Sequence, residues 1–127
     1  MTTSHGQLTP PPTASTGARD GTKLATAVQY GLPIIVIVAN NSMYGTIRMH
    51  QERQFPGRVV ATSLVNPDFA ALARSFGAGG TTITRTDDFL PVLRRARSAS
   101  APTLIDLKLD PEAITTRQTL SEIRGKH

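Results

Sequence analysis

The feature that most constrains this chain is a short apolar run that stops at two asparagines. Residues Ile34–Ala39 are all apolar and mostly β-branched, and Asn40 and Asn41 follow directly. An unbroken apolar run of this length is typical of a parallel strand whose two faces are both buried in an α/β sheet. Because ligands of such sheets bind beyond the carboxyl ends of the strands, the residues after Ala39 are the first place to expect a binding site.

The residues that follow the run have the chemistry of an ion site. An asparagine side chain offers a carbonyl oxygen to a hard cation and an amide group as a hydrogen-bond donor. The segment Met43–Gln51 is predicted to begin a helix, whose free backbone N–H groups would face an anion. Two asparagines at the end of a strand are also typical of a plain turn, so the pair alone does not identify a ligand.

A much longer stretch indicates a family. Between Leu24 and Arg53 the chain reads ATAVQYGLPIIVIVANNSMYGTIRMHQER, which resembles the cofactor-binding domain of thiamine-diphosphate-dependent enzymes. Within that family it is most similar to the acetolactate synthase and benzoylformate decarboxylase branch. The resemblance extends to the end of the chain, and it implies two cofactors, thiamine diphosphate and Mg²⁺.

The resemblance also implies which residues hold those cofactors. By position, the side chain of Asn41 and the backbone carbonyl of Met43 would ligate Mg²⁺. The cofactor-binding residues that it implies are Asn41, Ser42, Met43, Tyr44 and Gly45, the last two against the diphosphate. No residue of this chain is assigned a catalytic role.

The chain departs from the family upstream of the asparagines. The family has a Gly-Asp-Gly one strand earlier, whose aspartate also ligates Mg²⁺, and a separate domain supplies the glutamate that activates the cofactor. Here Arg19-Asp20-Gly21 lacks the first glycine, lies too close to Asn40 and follows no apolar strand, so we interpret Asp20 as a tail residue. We therefore expect an N-terminally truncated domain, which a deletion, a shifted reading frame or a misplaced start would each produce.

Two functions stay open on this basis. In the first, the chain is the thiamine-diphosphate- and Mg²⁺-binding domain of a 2-oxo acid carboligase or decarboxylase of the acetolactate synthase type, inactive on its own. In the second, it is a non-catalytic remnant that acts only as an association module. We expect self-association, because a strand missing beside Ile34–Ala39 leaves unpaired backbone groups and apolar surface.

Composition limits the other classes of function. The 127 residues include no cysteine, which excludes a disulfide framework and a thiolate zinc site and favours a cytoplasmic location. The net charge of +5 is spread thinly and is not interleaved with aromatic residues, so we predict no nucleic-acid partner. No apolar run reaches the roughly 20 residues that cross a membrane, so we predict no membrane partner. His50 and Glu52 lie two residues apart on a predicted helix and are interpreted as a surface pair.

The predicted fold class is α/β, a partial parallel sheet flanked by helices, with Ile34–Ala39 as its central strand. Residues 1–22, rich in proline and threonine, are predicted to form a disordered low-complexity tail, and residues 23–127 a partial thiamine-diphosphate-binding domain. The expected order is helix, strand, helix, helix, strand, helix, strand, with right-handed crossovers between the parallel strands.

Local signals set the expected element boundaries. Thr22 is predicted to cap the first helix, and Asn66 the third. Thr103–Leu109 is predicted to be a strand in which Asp106 alternates with leucines and is partly exposed. Thr119-Leu120-Ser121-Glu122 has the spacing of a capping box and predicts a short terminal helix.

Overall fold

A computed structural model describes the backbone of residues 16–126 and the side chains of residues 22–126. The elements are, in chain order, α1 (Thr16–Gln29), β1 (Ile35–Asn40), α2 (Gly45–Gln54), α3 (Phe69–Ser75), β2 (Gly79–Ile83), a 3-10 turn (Thr86–Asp88), α4 (Phe89–Arg97), β3 (Thr103–Lys108) and α5 (Leu120–Arg124). The predicted order of helices and strands and the short terminal helix are confirmed.

The three strands are parallel and lie in the order β1-β3-β2, so the last strand in the sequence is the central one. This confirms the predicted partial parallel sheet but corrects its centre. β1 pairs with β3 along one edge, and no strand within residues 16–126 pairs with its other edge. The side chain of Ile37 is accordingly 46% exposed, so β1 is not buried on both faces as its composition suggests.

Helices cover both faces of the sheet. Helices α1 and α3 lie on one face, over a core made by Leu24, Phe69, Ala73, Ala78 and Leu104. Helix α4 lies on the other face, over a core made by Ile83, Val92, Ala96 and Ile105. The apolar positions of α4 follow the i, i+3, i+4, i+7 spacing of one helical face, which is why this helix packs where it does. Helix α2 begins beyond the carboxyl end of β1 and packs against α5.

Two predicted helix starts are wrong. Helix α1 begins at Thr16 rather than after Thr22, so the last part of the predicted tail is helical backbone, while residues 1–15 lie outside the described residues. Helix α3 is capped by Asp68, whose side chain accepts from the Ala71 N–H at 2.8 Å. Asn66 does not cap it, because its side chain is hydrogen-bonded to Asn40 instead.

The capping box at the terminal helix is confirmed. The Thr119 side chain accepts from the backbone N–H of Glu122, and the Glu122 carboxylate accepts from the backbone N–H of Thr119 at 2.7 Å. This reciprocal pair fixes the first turn of α5, a helix too short to be stable by propensity alone. No helix within residues 16–126 is both long and apolar enough to cross a bilayer.

Candidate functional site

The candidate site is built on the side chain of Asn40, at the carboxyl end of β1. This side chain is 3% exposed and uses both ends of its amide. Its Oδ1 accepts from the Ser42 N–H at 3.2 Å and from the Asn66 Nδ2 at 2.8 Å, while its Nδ2 donates to Asp106 Oδ1 at 3.0 Å. One amide therefore joins β1, β3, the loop before α3 and the turn that follows β1.

The turn after β1 holds Ser42 in a left-handed conformation, with φ of +56°. For a residue other than glycine this conformation costs roughly 1–2 kcal/mol. Two donors of Ser42, the N–H at 3.2 Å and the Oγ at 3.4 Å, are aimed at Asn40 Oδ1. A buried hydrogen bond contributes roughly 0.5–1.5 kcal/mol net, so these contacts are of the size needed to hold the turn.

Two backbone hydrogen bonds with residues 62 and 64 also hold this turn. The Leu64 N–H donates to the Ser42 carbonyl at 2.9 Å, and the Tyr44 N–H donates to the Thr62 carbonyl at 2.8 Å. These two bonds flank an isolated antiparallel bridge between Met43 and Ser63. The N–H and carbonyl of Met43 itself therefore point away from this bridge.

The two residues implied as metal ligands lie side by side in this turn. Asn41 Oδ1 accepts from the Met43 N–H at 3.2 Å, which orients the Asn41 side chain along the turn. Within residues 16–126 no donor bonds to the Met43 carbonyl. The structure thus brings together two neutral oxygen donors, both of the type that Mg²⁺ accepts.

The first turn of α2 supplies the anion-binding half of the site. Tyr44 occupies the N-cap position, and its side chain makes no capping hydrogen bond. The N–H groups at the start of a helix have no partner within the helix, and they attract negative charge. Gly45 is the first residue of α2, and a Cβ added there would lie 2.7 Å from Ile114 Cδ1 and 3.0 Å from Asn41 Nδ2. A Cβ at this position would therefore require the end of the Ile114 side chain and the Asn41 amide to shift.

These residues fit a diphosphate better than they fit a metal ion. The helix start offers free backbone N–H groups, which suit an anion. For Mg²⁺ the donors at hand are neutral, and the described residues contain no group of three histidines or carboxylates placed to hold a metal. The carboxylate of Asp106 is linked to the turn through Asn40, and it is engaged by the Asn40 amide. The side chain of Asp20 lies outside the described residues.

Sequence analysis missed two residues of this site. Asp106 was predicted to be partly exposed, but its side chain is 1% exposed in the central strand. Asn66 was predicted to cap a helix, but it donates to Asn40. In an alternating order of strands and helices, the last strand can insert between two earlier ones. This is the only sequence signal that could have indicated that Asp106 is buried.

The prediction that Glu52 belongs to a surface pair is also wrong. Its side chain is fully buried, and its carboxylate accepts from Arg124 Nε at 3.0 Å and from the Gly57 N–H at 2.9 Å. Arg48 Nε lies 3.5 Å away on the same helix. The hydrogen bond from Arg124, followed by that from Gly57, lowers the pKa of Glu52 from 4.5 to about 2. This carboxylate therefore ties α2 to α5.

Comparison with known proteins identifies one family. Residues 15–107 match a family described as "Thiamine pyrophosphate enzyme, C-terminal TPP binding domain". The chain is 40% identical over 87 residues to an acetolactate synthase large subunit of Parasynechococcus marenigrum. It is 35% identical over 88 residues to an acetolactate synthase of Bacillus subtilis, and 33% identical over 89 residues to the acetolactate synthase isozyme 2 large subunit of Escherichia coli.

These alignments cover most of this chain and a small part of each relative. They span 67%, 69% and 69% of the chain, in the same order, but only 14%, 15% and 16% of the relatives. The similarity therefore concerns a single region of much longer proteins. The family match over residues 15–107 contains the turn after β1 and the whole of α2.

The buried ion pair of Glu52 predicts a pH dependence. Because the pKa is lower in the folded chain than in the unfolded one, the pair stabilises the fold fully above the ordinary value of 4.5, and this stability is lost as the pH falls toward about 2. We expect Glu52→Gln to be less stable than the unaltered chain at neutral pH and to lose less stability on acidification. Urea unfolding across this pH range measures both effects.

Asp87→Asn is the matched control, since the Asp87 side chain is 87% exposed and its pair with Arg85 spans 3.6 Å. Exposed pairs of this kind contribute at most about 1 kcal/mol. A Glu52→Gln variant whose acid sensitivity equals that of the control would contradict the assignment.

Proposed function

The chain belongs to the family of C-terminal thiamine-pyrophosphate-binding domains of thiamine pyrophosphate enzymes, and we propose that it binds the diphosphate of thiamine diphosphate at Asn41–Gly45. The observation that carries the proposal is the uncapped start of α2, which directly follows the turn that holds Asn41 and Met43. A diphosphate accepts hydrogen bonds from exposed N–H groups and is favoured by the helix dipole. Ser42, Met43 and Tyr44 line the approach to these groups.

We propose that Mg²⁺ assists this binding through the Asn41 side chain and the Met43 carbonyl. Support comes from the hydrogen bond between Asn41 Oδ1 and the Met43 N–H, which sets the two residues side by side. Mg²⁺ demands near-octahedral oxygen coordination and gives up its water reluctantly, so two neutral protein ligands hold it weakly. Most of its remaining ligands would then be the diphosphate and water.

The reaction class that we propose is that of a 2-oxo acid carboligase or decarboxylase of the acetolactate synthase type. When bound, thiamine diphosphate supplies the stabilised carbanion that such reactions need. The described residues at the turn would bind and orient the diphosphate end. The two buried carboxylates of the described region, Glu52 and Asp106, are held by Arg124 and by Asn40 and Lys108.

The free edge of β1 favours association as a second function. Its outer edge has unpaired backbone groups among the described residues, and Ile37 is half exposed beside it. Such an edge pairs readily with another strand. We propose that the occupant is β1 of a second copy, because a two-fold axis through two identical edges gives a closed, self-complementary contact. The cytoplasmic location and the absence of a nucleic-acid partner stay predictions.

Binding of thiamine diphosphate is expected to be weak and to depend on Mg²⁺. Gly45→Ala should lower the affinity about tenfold or more, a loss of about 1.4 kcal/mol or more, because the added methyl displaces Asn41 or Ile114. Asn41→Ala should abolish most of the Mg²⁺ dependence. Isothermal titration calorimetry with and without Mg²⁺ measures both changes.

Gly125→Ala is the control for Gly45→Ala, because a Cβ at Gly125 meets its nearest neighbour, the Ser121 carbonyl, at an ordinary 3.4 Å. Micromolar or tighter binding that Asn41→Ala leaves unchanged would contradict the proposed metal ligand.

The purified chain is expected to show no turnover of 2-oxo acids at saturating thiamine diphosphate and Mg²⁺. The two buried carboxylates of the described residues, Glu52 and Asp106, are engaged by Arg124 and by Asn40, and the loss of one general acid–base group costs about 10²–10⁴-fold. Release of CO₂ from pyruvate and from benzoylformate, against a control without protein, measures it. A rate above that control that disappears in Asn41→Ala would overturn the expectation.

Self-association is expected to depend on the exposed face of β1. Ile37→Lys places a charge beside the free edge and should shift the chain toward monomer, since charged side chains at an edge oppose strand pairing. Multi-angle light scattering over a range of concentrations measures the mass. Leu90→Lys on α4 is the control, because Leu90 is 56% exposed and lies on a helix rather than on the free edge strand. A monomeric unaltered chain would refute the association proposal.

A further inference from the structure

We infer that Asp106 is a positioning residue for the proposed cofactor site, because its buried carboxylate sets the orientation of the Asn40 amide and thereby the turn that carries Asn41 and Met43. The inference rests on the proposed function for the identity of the ligand. The effect of Asp106 on the turn can be measured in the chain without ligand, so it can be tested separately from cofactor binding.

The first step is the burial of Asp106. It lies in the middle of β3, between Val38 of β1 and Thr82 of β2 in the sheet register, and its side chain is 1% exposed. Burying a charge is costly unless it is paired and hydrogen-bonded. Lys108 Nζ lies 2.8 Å from Oδ2 but without the angle of a hydrogen bond. The hydrogen bond to Oδ1 from Asn40 Nδ2, at 3.0 Å, is therefore the one directional contact of this carboxylate.

The second step is the effect on the Asn40 amide. A carboxylate only accepts hydrogen bonds, whereas a primary amide has one donor end and one acceptor end. The carboxylate therefore draws Nδ2 toward the sheet and leaves Oδ1 facing the turn. There Oδ1 meets three donors, the N–H and Oγ of Ser42 and the Nδ2 of Asn66. If the Asn40 amide were flipped, its Oδ1 would face the Asp106 carboxylate, and its Nδ2 would face the donors of Ser42 and Asn66.

The third step is the effect on the site. Oδ1 of Asn40 holds the N–H of Ser42, the residue whose backbone is left-handed. Asn41 precedes this residue and Met43 follows it, so the conformation at Ser42 decides how the two proposed ligands are placed relative to each other. Asp106 touches neither ligand and acts only through Asn40.

The test is a hydrogen-bond swap. In Asp106→Asn the side chain at position 106 no longer only accepts hydrogen bonds. Its new amide can also donate to Asn40 Oδ1, and it then competes with Ser42 and Asn66 for that oxygen. The double variant Asp106→Asn/Asn40→Asp restores the complementarity in reverse, because the new carboxylate at position 40 accepts from the new amide and from Ser42 and Asn66. Lys108→Met is the control, because it removes the ion pair and leaves the amide contact in place.

The first readout is amide hydrogen exchange of Ser42 in the chain without ligand, expressed relative to the Ile105 amide in β3. We expect the ratio to rise about tenfold in Asp106→Asn, to return toward its original value in the double variant and to stay unchanged in Lys108→Met. A loss of global stability alone would accelerate both amides together and leave the ratio unchanged.

The second readout is the affinity for thiamine diphosphate with Mg²⁺, which should follow the same order across the variants. An unchanged exchange ratio in Asp106→Asn, or a double variant that exchanges as fast as the single one, would overturn the inference. If the unaltered chain binds no thiamine diphosphate, the proposed function fails, while the exchange ratio still decides the role of Asp106.

Discussion

The hydrogen bond between Asn40 and Asp106 is the contact on which the rest of the site depends. It links an edge strand to the central strand at their carboxyl ends, and it leaves the other end of the Asn40 amide to organise the turn. Asn40 Oδ1 also accepts a hydrogen bond from the Asn66 side chain, which ties the loop before α3 to the turn. A buried polar network is stabilising only when its members are satisfied, and here almost every polar group has its partner.

The second anchor lies at the far end of α2. Glu52 accepts hydrogen bonds from Arg124 of α5 and from the backbone of Gly57, which ties down the helix whose start is the proposed anion site. The family match ends at residue 107, so α5 and the segment before it lie beyond the matched region. That segment nonetheless reaches the site, because the end of the Ile114 side chain would have to shift for a Cβ at Gly45. Both ends of α2 thus depend on residues near the end of the chain.

Local patterns predicted much of this fold, and tertiary pairing decided the rest. The order of helices and strands and the capping box at Thr119 are set by neighbouring residues, and both predictions are confirmed. The apolar run forms a strand as predicted, but this strand lies at the edge of the sheet and not at its centre. The position of β1 at the edge and the burial of Asp106 both follow from the insertion of β3 between β1 and β2. The alternating pattern within one strand does not contain the order of the strands in the sheet. Glu52 looked exposed for the same reason, because its partner Arg124 is 72 residues away in the sequence.

The site residues themselves were named from a family resemblance, and the structure adds their arrangement: one turn, one helix start and two neutral oxygens. The start of α2 is the proposed diphosphate site. Its most direct test follows the backbone amide resonances during titration with thiamine diphosphate and, separately, with thiamine. Diphosphate binding at this helix start predicts shifts concentrated at Met43–Ile47 with thiamine diphosphate and absent with thiamine. Equal shifts with both compounds, or shifts centred on the groove between β2 and α4 near Thr82 and Arg95, would contradict it.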